Sequence, residues 1–134
     1  MFAPYCKDNT IGIQTGLRYN GTTVIQQGVV AGGTFTGNDT AVQIEKNTTE
    51  SVFDALDIAG TASSVYGLVI SDSGPMTLIN CRTSGTFTTN AIKITSTDLL
   101  TLINVEALMS GGGGTAWSMS VDLTKLTSIQ SNNP

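Results

Sequence analysis

Leu-Leu-Thr-Leu-Ile-Asn-Val at 99–105 decides how this sequence folds, because two related stretches recur along the chain. Pro-Met-Thr-Leu-Ile-Asn-Cys stands at 75–81, 24 positions earlier, and Lys-Leu-Thr-Ser-Ile-Gln-Ser stands at 125–131, 26 positions later. An internal repeat of this length is typical of architectures in which one small unit is stacked on the next. The repeat therefore indicates a solenoid.

A second family of short strands recurs with a similar period. Its first member, at 41–45, alternates apolar and polar residues, as a half-buried strand does, and its relatives stand at 67–71, 91–95 and 118–122. The residues that align, at spacings of 26, 24 and 27, are Ile44, Ile70, Ile94 and Val121. An earlier member of the first family is expected at 53–58, aligned with 76–81. Units this short cannot bury their apolar residues alone, which predicts an all-β fold, a short right-handed parallel β-helix of about four rungs of 23–27 residues.

Stacking places equivalent side chains one above another at the ~4.8 Å strand spacing. The predicted inner ladders are Met76 with Leu100 and Leu126, Leu78 with Leu102, and Val42 with Leu68, Ile92 and Met119. A polar ladder of stacked side chains is predicted at a bend, formed by Asp57, Asn80, Asn104 and Gln130. The alternative fold is an antiparallel β-sandwich or jelly roll, which also has short strands between turns.

Residues 1–18 lack the pattern of short apolar runs that begins at Tyr19. The sequence therefore predicts two units, an N-terminal arm at 1–18 and a β-helix domain at 19–134. The arm is either a docking segment or a cap for the first open edge of the solenoid. The residues that distinguish it, and that would carry docking, are Phe2, Pro4, Tyr5, Cys6 and Arg18.

Both faces of the repeat strands carry apolar side chains. If Leu78 and Leu102 point inwards, alternation predicts an outer apolar stripe made of Ile79, Cys81, Ile103, Val105 and Ile129. Such a stripe should not stay in water, so we expect either cover by the N-terminal arm or a subunit interface, of which the interface is the interpretation we adopt. Cys81 taken alone is typical of a small buried residue, and a disulfide with Cys6 stays open.

Composition bears on the kind of function. The chain has 6 Lys and Arg, 10 Asp and Glu, no His and a formal net charge of −4, and no basic cluster favours nucleic acid. Without His the usual general base and the commonest metal ligand are missing, and no apolar run reaches the roughly 18 residues of a membrane span. We therefore expect no enzyme, cofactor, metal, nucleic acid or membrane. Asp72 and Asp98 are either a glycosidase carboxylate pair or ordinary turn residues.

The Leu-Ile-Asn units at 78–80 and 102–104, each with Asn at the strand end, resemble the right-handed β-helices of phage tailspikes, pectate lyases and related virion spikes. The resemblance covers roughly residues 33–131. Members that degrade polysaccharides are far longer, so the resemblance implies a small virion protein. We expect a homotrimeric capsid decoration (cement) protein on the outside of the capsid, made in the host cytoplasm, with the major capsid protein or another virion protein as its partner.

Two other functions stay open. One is a tailspike or fibre module that binds or cleaves polysaccharide on a host surface. The other is an ice-binding β-solenoid, because Thr77, Thr101 and Thr127 align in the repeat.

Overall fold

The computed structural model describes residues 4–15, 18–19, 22–23, 29–45, 50–71, 75–95, 99–119 and 126–129, and within them the only regular secondary structure is β-strand. In chain order the strands are β1 Tyr5–Lys7, β2 Ile11–Thr15, β3 Arg18–Tyr19, β4 Thr22–Thr23, β5 Val29–Ala31, β6 Thr34–Thr36, β7 Thr40–Ile44, β8 Ser51–Asp54, β9 Asp57–Gly60, β10 Tyr66–Ile70, β11 Met76–Ile79, β12 Arg82–Thr86, β13 Asn90–Ile94, β14 Leu100–Ile103, β15 Glu106–Gly111, β16 Thr115–Met119 and β17 Leu126–Ile129.

Three parallel sheets, each five strands wide over the described residues, surround one core. Sheet 1 has the order β1-β6-β9-β12-β15, sheet 2 the order β2-β7-β10-β13-β16 and sheet 3 the order β5-β8-β11-β14-β17. Each circuit of the chain adds one strand to every sheet, so the predicted parallel β-helix is confirmed and the antiparallel sandwich is wrong. β3 and β4 pair with each other, antiparallel and outside the three sheets.

Strand register follows the predicted inner ladders where the sequence repeat is closest. Met76 pairs with Leu100 and Leu100 with Leu126, Leu78 pairs with Leu102, and Leu68 lies between Val42 and Ile92. Leu78, Leu102 and Leu68 are almost completely buried, at 0%, 1% and 0% exposure.

The register differs from prediction by two residues in two places. Phe53 pairs with Leu78, whereas the repeat had aligned it with Met76. At the other end Trp117 pairs with Ile92, so Met119 follows Ile94 and is not the next step above Ile92. The predicted alignment of Ile94 with Val121 is therefore wrong, and Val121 itself lies outside the described residues. Alternation has a period of 2, so a shift of two keeps every side chain on its face and the pattern alone cannot fix the register.

The core is a stack of aliphatic side chains with three fully buried phenylalanines, Phe35, Phe53 and Phe87. Phe87 fits because its neighbours in the previous turn lack side chains. A Cβ atom on Gly60 would lie 2.5 Å from the Phe87 ring and one on Gly67 would lie 3.2 Å from it. Close packing of this kind makes the inner residues intolerant of changes in volume.

The first strands of the chain belong to the β-helix. β1 pairs with β6 in sheet 1, and β2 pairs with β7 in sheet 2, both in parallel. The predicted boundary between an arm at 1–18 and a β-helix at 19–134 is therefore wrong for 5–7 and 11–15. The short alternating runs Tyr-Cys-Lys and Ile-Gly-Ile-Gln-Thr lack the Leu-Ile-Asn repeat, so the sequence did not group them with the later strands.

The predicted arm residues accordingly take different places. The carbonyl of Pro4 accepts a hydrogen bond from the Thr34 N–H at 2.9 Å. Tyr5 is 69% exposed on the outer side of sheet 1, whereas Cys6 packs against the core. Arg18 lies in β3, and Phe2 lies outside the described residues.

Candidate functional site

The end of the sheet 3 strands forms a recurring corner. A residue with left-handed backbone follows each of β5, β8, β11 and β14, and these residues are Gly32 (φ 73°), Ala55 (φ 54°), Asn80 (φ 51°) and Asn104 (φ 50°). The N–H groups of the first three donate to the next turn, to the carbonyls of Asp54, Ile79 and Ile103, at 2.8, 3.0 and 2.9 Å. Gly and Asn adopt this conformation most readily, which explains why the repeat ends in Asn.

The left-handed corner resets the alternation of side chains. Residues that follow it turn inwards, so Cys81 and Val105 are 2% and 1% exposed and belong to the core. The prediction that these two residues lie on the outer stripe is therefore wrong, because simple alternation holds only while the backbone stays extended. Burial raises the pKa of the Cys81 thiol to about 11, and the nearby Asp54 carboxylate adds to the rise. Cys6 and Cys81 are both free thiols, without a disulfide.

A polar ladder runs along the outside of this corner. The Asn104 amide donates to Asn80 Oδ1 at 2.9 Å, and the Asn80 amide donates to Asp54 Oδ1 at 3.4 Å. The structure thus brings Asn80 and Asn104 together as expected, but the third member is Asp54. Asp57 lies in sheet 1 opposite Arg82. The sequence had placed it beside Asn80 because the predicted alignment of this stretch was off by two residues. Gln130 lies outside the described residues.

The outer side of sheet 3 carries two parallel rows of side chains. One row is Val52, Thr77 and Thr101, and the other is Asp54, Ile79 and Ile103. All six are half-buried. Ile79 and Ile103 stand one above the other, as the sequence predicted. Ile129 pairs with Leu102 and not with Ile103, so the register does not continue the row as predicted.

A shallow groove of about 220 Å³ lies where β8, β11 and β14 begin. Its lining residues are Glu50, Ser51, Val52, Pro75, Met76, Thr77, Leu99 and Thr101. Ser51 and Met76 are buried, while Leu99 is 47% exposed. The lining combines apolar contacts, hydroxyl groups and one carboxylate. Sequence reasoning missed this groove because three successive turns build it from residues that are individually ordinary.

The described residues hold no group of three or more His, Cys, Asp or Glu side chains that could bind a metal ion. Asp72 and Asp98, for which a carboxylate pair and ordinary turn residues were the two interpretations, lie outside the described residues, at 72–74 and 96–98. In the described part of the chain no helix is long and apolar enough to cross a membrane.

The three sheets, the left-handed corner and the amide ladder define the class of this protein: it is a short parallel β-helix. Comparison with models of protein families, with curated proteins and with solved structures gave no match.

Proposed function

We propose that this protein is a non-enzymatic structural component of a virus particle. In this proposal it is a capsid decoration protein that forms homotrimers through the outer side of sheet 3 and binds the major capsid protein or another virion protein. The assignment to a virion comes from the resemblance of the Leu-Ile-Asn units to phage β-helices. The proposal for self-association comes from the outer rows of sheet 3.

The observation that carries the proposal is the stacked pair Ile79 and Ile103. Both point away from the core on a rigid sheet, with Thr77 and Thr101 as their uncharged neighbours. Complete burial of an aliphatic side chain contributes about 1.5–3 kcal/mol of free energy. A side chain that is only half-buried in one chain would contribute the remaining part when a second subunit covers it. Interface cores are depleted in charge, which matches these four residues.

Size supports the same conclusion. A chain of 134 residues with a narrow core buries a smaller fraction of its surface than a larger protein. Side-by-side packing of β-helices adds buried area without interrupting any sheet. The Asn80–Asn104 ladder at the corner would then form a polar rim beside the apolar contact.

Light scattering on the purified protein tests the self-association. For a trimer, the molar mass from light scattering is expected to be three times that of one 13.9 kDa chain. Binding is tested by co-sedimentation with capsids assembled from the major capsid protein that is proposed as the partner. A monomer that does not co-sediment would overturn the proposal.

The groove favours a second candidate function, the binding of a host-surface polysaccharide. Leu99 and Pro75 offer apolar contacts to the C–H face of a sugar ring, and the Thr77 hydroxyl offers a hydrogen bond. A glycan array and a reducing-sugar assay separate binding from cleavage. Thr77→Val should then weaken glycan binding, while Thr83→Val, at a buried position of sheet 1 away from the groove, should leave the affinity of the folded protein unchanged.

Ice binding stays a prediction with less support. Thr77 and Thr101 lie in register with Thr127, but Val52 occupies the row at β8. A thermal hysteresis measurement tests it directly.

A further inference from the structure

The turn made of β15, β16 and β17, here called the terminal turn, differs from the turns before it. Its strands form one edge of each sheet. In sheet 1, Gly85 pairs with Met109 and Thr86 with Gly111, which leaves Ser110 as an extra residue. In sheet 3, Thr101 pairs with Thr127 and Leu102 with Ile129, which leaves Ser128 as an extra residue.

The earlier turns have no such irregularity in the described pairings. β6 follows β1, β9 follows β6 and β12 follows β9 in a single register, and the same holds from β5 to β14 in sheet 3. An extra residue bends the strand that contains it and breaks the even spacing of its free N–H and C=O groups. Two of the three terminal strands therefore present an uneven edge.

The glycine run at 111–114 presses the terminal turn onto the turn below. A Cβ atom on Gly112 (φ 107°) would lie 2.2 Å from the Phe87 carbonyl oxygen, and one on Gly114 would lie 2.3 Å from the Thr89 carbonyl oxygen. The run therefore contains two close backbone contacts, which side chains at Gly112 and Gly114 would prevent. Met109 and Trp117 pack against the end of the core from this turn.

An even edge of three parallel sheets would accept another coil of the same shape, and a second copy of this chain supplies one. Such head-to-tail pairing does not close on itself and generates filaments. Natural β proteins avoid it with bulges on their edge strands. We propose that the terminal turn is a cap whose two extra residues and tight glycine corner prevent a second copy from adding its strands at this end.

The first test removes the extra residues. The double deletion of Ser110 and Ser128 restores an even register to β15 and β17. Circular dichroism should report β-structure, and small-angle scattering should detect rods that lengthen with concentration by about 24 Å per added copy, the height of five stacked strands. The wild-type protein at the same concentrations should not lengthen. A folded double deletion that keeps the wild-type dimensions would overturn the proposal, as would wild-type filaments.

The second test displaces the terminal turn without a deletion. Gly112→Ala places a methyl group against Phe87, lifts the glycine corner and uncovers the even edges of β12, β13 and β14. The control is Gly113→Ala, which also has a positive φ, of 74°, but no atom within 4 Å of the new Cβ. Rods should form for Gly112→Ala and not for the control.

Gly112→Ala and Gly113→Ala are both measured by small-angle scattering. Equal behaviour of the two, or complete unfolding of Gly112→Ala without rods, would mean that the terminal turn is an ordinary part of the fold and not a cap. Rods lengthen along the helix axis, whereas the proposed trimer thickens across it. Failure of the cap and failure of the trimer are therefore told apart by particle shape.

Discussion

The two sides of strands β11 and β14 both carry apolar side chains but differ in how deeply these are buried. The inner side consists of Met76, Leu78, Leu100 and Leu102, which are 4%, 0%, 0% and 1% exposed. The outer side consists of Thr77, Ile79, Thr101 and Ile103, which are all half-buried. In composition both sides are compatible with burial, yet only the inner side is almost completely buried in this chain.

This difference separates the residues that determine the stability of the fold from those that we propose for association. The inner rows are packed at the density of a protein interior, so the free energy of folding depends on their volume. The outer rows are only half-buried in this chain. An isoleucine is not needed there to form the core, and the proposed contact with another subunit would account for its presence.

The largest effect is expected from truncation of the inner side. Leu78→Ala leaves a cavity between Leu102 and Phe53 and should lower the free energy of unfolding by roughly 3–5 kcal/mol. Thr77→Ala, the adjacent outer residue, should change it by less than about 1 kcal/mol. Denaturant titration of both variants measures the contrast. Equal losses would show that the outer side also belongs to the folded core.

A smaller effect is expected from the thiol that follows the corner. The pKa of Cys81 is about 11 in the folded chain against 9.0 as its ordinary value, so the folded state disfavours the thiolate. The stability that comes from the neutral, buried thiol is fully present below pH 9 and is lost as the pH rises towards 11, by roughly 3 kcal/mol.

Denaturation of the wild type and of Cys81→Ala across this pH range isolates the thiol, because the two proteins are identical at every other position. The wild type should lose more stability between pH 9 and 11 than the variant does. Identical pH profiles would contradict the burial of Cys81 and return it to the outer stripe.

The smallest effect is a gain in stability at the corner. Ala55 occupies the left-handed position that Asn80 and Asn104 fill in the later turns. Ala55→Gly relieves a conformation that L-residues disfavour and should stabilise the fold by about 0.5–1 kcal/mol. The control is Ala59→Gly, within the extended strand β9, which should lose a similar amount. Thermal melts of the two variants should shift in opposite directions, and shifts of the same sign would contradict the corner geometry.

How far the sequence could predict the molecule follows from these same residues. The repeat around Leu78 and Leu102 predicted the parallel β-helix, because identical side chains stacked in register are diagnostic where strand spacing is not. It also placed Asn80 beside Asn104. The sequence failed to predict that Cys81 and Val105 face the core. The alternation of side chains does not reveal that a residue with left-handed backbone precedes each of them and turns the chain.

Two further features were beyond prediction for different reasons. β1 and β2 have the alternation of strands but no likeness to the repeat, so only their pairing with β6 and β7 reveals them. The groove beside Leu99 depends on three turns that come together in space, which sequence order does not display.

If subunits meet through the outer side of sheet 3, as proposed, the mass of the particle in solution depends on Ile103. Ile103→Lys places a charge in the proposed contact, and the matched control Val69→Lys places one at a half-buried outer position of sheet 2. In light scattering we expect a trimer for the wild type and for Val69→Lys, and a folded monomer for Ile103→Lys. A wild-type monomer, or an Ile103→Lys variant that stays trimeric, would contradict the proposed contact.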